Sequence, residues 1–190
     1  MARRQAADYE EKRGAIVDEA ARLFAAKGFA GASLSELADA CGMSKSLFYH
    51  YYPSKEAILA GLMNEHMDEL LTAIDGGPEA DPQSALQAFA RELLRLYAGA
   101  ADKQKVMLYE LGYLPKDQRR EIVAKERRLI AYVEAIIQRA RPRQEKGVLR
   151  ARAMLFFGML NWTHTWLKSG GAVSRDDVAD MAARTILGEA

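Results

Sequence analysis

The chain has 190 residues, 49% of them hydrophobic and 28% charged, and a formal net charge of +1. This much apolar content excludes a disordered chain, and no apolar run reaches the roughly 18 residues of a membrane-spanning helix. A charge near zero gives no general pull toward DNA, so any nucleic-acid face must come from uneven placement. Even residues 1–55 are nearly neutral, and Tyr9, Glu10, Glu11, Asp18 and Glu19 are expected to face away from such a face. The single cysteine, Cys41, cannot form an internal disulfide, and the opening MARRQAADYEEKR has no apolar stretch of the secretory kind. A cytoplasmic protein is expected.

The spacing predicts a first helix from about Tyr9 to Lys27. Ile16, Ala20, Leu23 and Phe24 form its apolar stripe, and Gly28 follows as the left-handed terminator. Ser33 and Glu36 have the spacing of a capping box for a second helix, whose Leu34, Leu37, Ala38 and Cys41 share a face. Gly42 stands where the chain must turn sharply. Ser44 caps a third helix, with Met43 and Phe48 at hydrophobic-staple spacing. Phe48 and Tyr52 point inward, which leaves Lys45, Ser46, Tyr49 and His50 outside. Pro53 ends this helix, and Ser54 caps the next.

Two short helices about a tight turn are how a protein presents a helix to the major groove. Short polar residues near the start of the reading helix suit base and phosphate contacts. The candidate DNA-binding residues are Arg4, Ser33, Ser35, Ser44, Lys45, Ser46, Leu47, Tyr49, His50, Tyr51 and Lys55. Lys45 suits a guanine edge or a phosphate, Lys55 a phosphate, and Arg3 and Arg4 an arm along the backbone.

Residues 23–29 (LFAAKGF), 33–38 (SLSELA), 42–45 (GMSK), Phe48, Tyr49 and 52–56 (YPSKE) resemble the TetR family of transcriptional regulators. The motif covers about the first third of the chain, and length and layout extend the likeness to the whole. The family often has a histidine at the position of Tyr51, whereas here the histidine is His50. The resemblance implies an all-α fold. Residues 1–53 would form a three-helix DNA-binding unit with a helix-turn-helix, and residues 54–190 a larger helical domain for ligand binding and dimerisation.

The fourth helix is predicted from Ser54 to about Ile74, with Leu59, Leu62, Met63, His66, Leu70 and Ile74 at helical spacing, before a loop at Asp75-Gly76-Gly77-Pro78. Further helices are predicted at about 82–99, 102–113, 115–140, 147–168 and 174–187, with Ser174 and Asp177 capping the last. Between Ala153 and Leu160 the chain is apolar on every side, so the helix must be covered all round. A second copy of the chain is the expected cover, with Phe156, Phe157, Met159, Leu160, Val178, Met181 and Ile186 as interface candidates. A two-fold dimer also suits a palindromic operator.

The large apolar and aromatic residues are mostly core, but several suit a small-molecule pocket with a few polar groups. The ligand-binding candidates are His66, Phe89, Leu93, Tyr97, Met107, Leu111, Tyr113, Ile130, Val133, Ile137, Asn161, Trp162, Thr165 and Trp166. Residues 161–166 (NWTHTW), with Gly170 and Gly171 after them, resemble a TetR subgroup that responds to acyl-CoA thioesters. An acyl-CoA carries several phosphate charges, for which Arg127, Arg128, Arg139, Arg141, Arg143, Arg150 and Arg152 are candidates. No cofactor is expected, and no metal, because His50, His66 and His164 have no Glu or His at i−3, i−4 or i+4, so the Glu-x-x-His pattern is missing. No phosphate loop or nucleophile elbow supports an enzyme. The chain therefore reads as a ligand-responsive repressor binding operator DNA as a homodimer, released by a small hydrophobic effector such as an acyl-CoA. The alternative is a DNA-binding protein without an effector.

Overall fold

The computed structural model describes residues 2–77 and 81–188, with side chains from residue 8 onward. Nine α-helices are described: α1 (Ala2–Lys27), α2 (Leu34–Ala40), α3 (Lys45–Tyr51), α4 (Lys55–Leu71), α5 (Pro82–Gly99), α6 (Ala101–Glu110), α7 (Lys116–Ala140), α8 (Lys146–Trp162) and α9 (Arg175–Leu187). There is no strand among the described residues. Contacts divide the chain into two compact units, Met1–His66 with Asp102–Ile122, and Met67–Ala101 with Val123–Ala190.

In the first unit the local signals work as the spacing predicts. Gly28 ends α1 at φ 75°. Ser33 Oγ accepts from the Glu36 amide at 3.2 Å while Glu36 accepts from the Ser33 amide at 2.9 Å, which completes the capping box. Ser44 caps α3 and Phe48 is buried beneath it. One boundary differs. Helix α1 begins at Ala2 rather than near Tyr9, so the expected arm is helical. The side chains of Arg3 and Arg4 lie outside the described residues, as does Pro78.

Residues 102–122, which the sequence places with the C-terminal helices, pack with the N-terminal ones instead. Lys103 Nζ lies 3.0 Å from an Asp18 carboxylate oxygen on α1 and 2.6 Å from one of Glu65 on α4. The wholly buried His66 shares a 2.8 Å hydrogen bond with Gln104. The Tyr113 ring stands 4.9 Å from that of Phe29.

In the second unit α5 packs on α9 and α8, and α8 on α9. Phe89 sits at the centre, 5.0 Å from the Tyr132 ring and 6.3 Å from those of Phe156 and Phe157. Arg91 donates Nε and Nη2 to the two Asp180 oxygens at 2.9 and 2.7 Å, pinning α5 to α9. Gly188 closes α9 in the left-handed region, at φ 72°, where Arg141 and Arg152 donate to the carbonyls of Leu187 and Ile186.

Helix α8 stops at Trp162 rather than running to Lys168, and its own side chains account for this. Thr163 Oγ1 donates to Leu160 O at 2.7 Å, Thr165 Oγ1 donates to Trp162 O at 2.8 Å, and His164 Nδ1 lies 2.7 Å from Asn161 O. Side chains that bond back to the last carbonyls compete with the helical ladder. The chain tightens into a 3-10 turn over Thr163–Thr165.

Candidate functional site

The surface of α3 has the composition of a reading face. Phe48 and the following Tyr52 are buried, whereas Lys45, Ser46, Leu47, Tyr49 and His50 are exposed. Lys45 has no ion pair among the described residues, so its ammonium is available to an anion. Ser44 Oγ accepts from the Leu47 amide at 3.3 Å, an acceptor role that leaves its O–H to donate elsewhere. Ser35 is half-buried on α2.

Three candidate residues are otherwise engaged. Lys55 was expected as a phosphate clamp, but its Nζ donates to Phe29 O at 2.7 Å and to Ala32 O at 2.8 Å, 4.2 Å from the Phe29 ring centroid. Those carbonyls lie in the α1–α2 connection, where Phe29 O also accepts the Ala32 amide at 3.3 Å. The Ser33 hydroxyl is consumed by Glu36, accepting from its amide and donating to its carboxylate at 2.9 Å. Tyr51 is half-buried because its ring stacks on that of Tyr9, 4.9 Å between centroids. Tyr9, expected to turn away from the DNA side, is therefore a partner of α3. Glu36 itself is held down to a pKa of about 2 by hydrogen bonds, first from Lys27 Nζ at 2.7 Å and then from Ser33.

The ligand candidates are divided between the two compact units. His66, Met107, Leu111 and Tyr113 belong to the first unit, and the others to the second. Phe89, Leu93, Tyr97, Val133 and Ile137 are buried core residues there, and Ile130 is half-buried. Asn161 is half-buried and Thr165 exposed at the end of α8. Trp162 and Trp166 are 61% and 49% exposed, outside the core that holds the other aromatic candidates of this unit. Among the arginines proposed for phosphate, Arg141 and Arg152 serve the end of α9, and Arg150 lies 3.3 Å from Glu134.

The tryptophans line an open apolar groove of about 980 Å³ on α8, α9 and their connection. Met154, Leu155, Gly158, Met159, Val178 and Met181 line it as well. Leu155 is 63% and Met154 50% exposed. The interface candidates divide accordingly. Met159, Val178 and Met181 line the groove, but Phe156, Phe157, Leu160 and Ile186 are buried in the unit's own core, which corrects their assignment to a partner surface. Sequence reasoning left out Met154 and Leu155. Their signal was available, since 154, 155, 158, 159 and 162 share the helix side opposite 153, 156, 157 and 160.

The tetR family of bacterial regulatory proteins matches residues 16–62, and the tetracyclin repressor-like C-terminal domain matches residues 79–189. The chain belongs to the TetR family. A TetR-family transcriptional regulator from Bordetella parapertussis 12822 is 38% identical, with 92% of this chain and 93% of that one covered and a TM-score of 0.84. AibR, solved with isovaleryl coenzyme A and operator DNA, is 28% identical, with 92% and 97% covered and a TM-score of 0.79. The HTH-type transcriptional regulator YuxN of Bacillus subtilis (strain 168) is 34% identical over 119 residues, 62% of this chain but 40% of YuxN. The chain thus spans less than half the length of that curated relative. TetR regulators are DNA-binding transcriptional regulators, not enzymes, and they function as dimers. No helix among the described residues is long and apolar enough to cross a membrane.

Proposed function

We propose that this TetR-family chain is a ligand-responsive repressor that holds a palindromic operator as a homodimer and lets go when a small hydrophobic effector binds. DNA reading is assigned to residues 1–53, and effector binding and pairing to residues 54–190. The observation that carries the DNA side is the outer face of α3, where Lys45, Ser46, Tyr49 and His50 stand exposed over a buried Phe48. Two such helices on a two-fold axis would enter successive major grooves about 34–36 Å apart. The apolar groove on α8 and α9 supports pairing with a second copy, since exposed apolar surface of this extent marks an interaction site. Gly158, whose Cβ position is open, allows a partner helix to approach closely.

An acyl-CoA thioester is the proposed effector class. It is supported by the similarity to AibR and by the NWTHTW stretch. Gating requires the effector to bind the released state more tightly than the operator-bound one. Helix α4 offers a covalent route for that coupling, with residues 55–66 in one compact unit and 67–71 in the other. The second reading, a DNA-binding protein without an effector, is favoured by one observation. Phe89, Leu93, Val133 and Ile137, expected around a pocket, are packed as core.

The test is binding to a DNA fragment from upstream of the chain's own gene, with and without a series of acyl-CoA thioesters. Specific binding released by one thioester supports both the repressor and its effector class. Specific binding that no thioester alters discards the acyl-CoA reading and favours the second.

A further inference from the structure

Helix α1 touches the reading helix at its far end. Tyr9 and Arg13 lie one turn apart on α1 and meet consecutive residues at the end of α3. The Tyr9 ring stacks on Tyr51 with 25° between planes and meets the His50 ring edge-on, at 6.1 Å and 84°. The Arg13 guanidinium lies over the Tyr52 ring, 5.3 Å from its centroid. Helix α3 has 7 residues, and of these Phe48 alone is buried. Phe48, with the buried Tyr52 one turn on at the helix end, sets how deep the short helix sits along one stripe. This leaves the flanking Tyr51 to limit rotation about its axis. At about 100° per residue, Tyr51 lies about 60° around the helix from Phe48, and His50 nearly opposite it. A roll of α3 that kept Phe48 buried would draw Tyr51 off Tyr9.

We infer that Tyr9 is a positioning residue for DNA reading: its ring sets the roll of α3, and so decides how Ser46, Tyr49 and His50 meet the base edges. This rests on α3 being the reading helix. Hydrogen bonds to base edges are directional, whereas a lysine on a long stem tolerates small displacements when it meets a phosphate. A change of roll therefore costs discrimination between sequences more than it costs general DNA affinity.

The test uses a duplex that the full-length protein selects from a random pool, and a scrambled duplex of the same length as control. Affinities of wild type, Tyr9→Phe, Tyr9→Ala and Tyr9→Leu are measured on both at one salt concentration. Tyr9→Phe keeps the ring and should stay within about twofold on the selected duplex. Tyr9→Ala should lose about three- to tenfold there, the range for one aromatic pair, and change little on the scrambled duplex. Tyr9→Leu keeps bulk without a ring, so it reads the same ratio should the alanine variant fail to fold. A ratio unchanged in the folded variants, or an equal loss on both duplexes, overturns the positioning role. A wild-type protein that selects no duplex overturns the reading assignment of α3 itself, and the role of Tyr9 with it.

Discussion

Lys55 and Lys45 are both lysines near the reading helix, and their surroundings give them different work. Lys55 donates to two carbonyls of the α1–α2 connection, Phe29 O at 2.7 Å and Ala32 O at 2.8 Å. Lys55→Met should lower the unfolding free energy by about 1–3 kcal/mol, as expected when a charged donor is removed from carbonyls that depend on it. Chemical denaturation measures this, and the salt dependence of DNA binding should not change. Lys45→Ala should do the reverse, leaving stability alone and reducing the slope of log affinity against log salt by about one per protomer, hence about two for a dimer on a palindromic duplex. Glu36 adds a pH signature. Its folded pKa of about 2 lies below the ordinary 4.5, so the stability it lends is fully present above 4.5 and is lost as pH falls toward 2. A carboxyl titration followed by NMR should show the low midpoint, and Glu36→Gln should flatten the acid limb of the stability curve.

Among the elements, the α1–α2 connection packs its backbone closely on the end of α1. A Cβ on Gly31 would stand 2.5 Å from the backbone oxygen of Lys27, closer than any side chain sits. Gly31→Ala should therefore destabilise the fold by about 1–3 kcal/mol, read as a lower urea midpoint with an unchanged slope. Signals within a few residues of each other read cleanly at this scale. The capping boxes of α2 and α9, the Ser44 cap and the Gly28 terminator all lie where their spacing puts them. The end of α8 did not read so. A run of Asn, Trp, Thr and His continues a helical pattern until the side chains choose the carbonyls behind them.

For the molecule as a whole, the groove on α8 and α9 makes the sharpest prediction. Leu155 lines it and is exposed. Leu155→Glu should yield a folded monomer by sedimentation, because an unpaired charge in an apolar interface is costly. Its affinity for a palindromic duplex should fall toward that of a half-site, by more than tenfold if the two halves bind as a linked pair. Retention of a full dimer would place the pairing surface elsewhere.

By itself the sequence determined the all-helical fold, the helix-turn-helix and the family. Each rests on neighbours three or four residues apart, or on a run of motif residues in order. Only the tertiary structure decided which side of the Ala153–Leu160 helix is inward. Both sides are apolar, and the choice fell to Phe156 and Phe157 meeting Phe89, more than sixty residues away. It likewise decided that Lys55 turns inward, that Tyr9 supports α3, and that residues 102–122 pack with the N-terminal helices. These depend on pairs distant in the chain, and a helical pattern records that a face is apolar or charged without recording what will meet it.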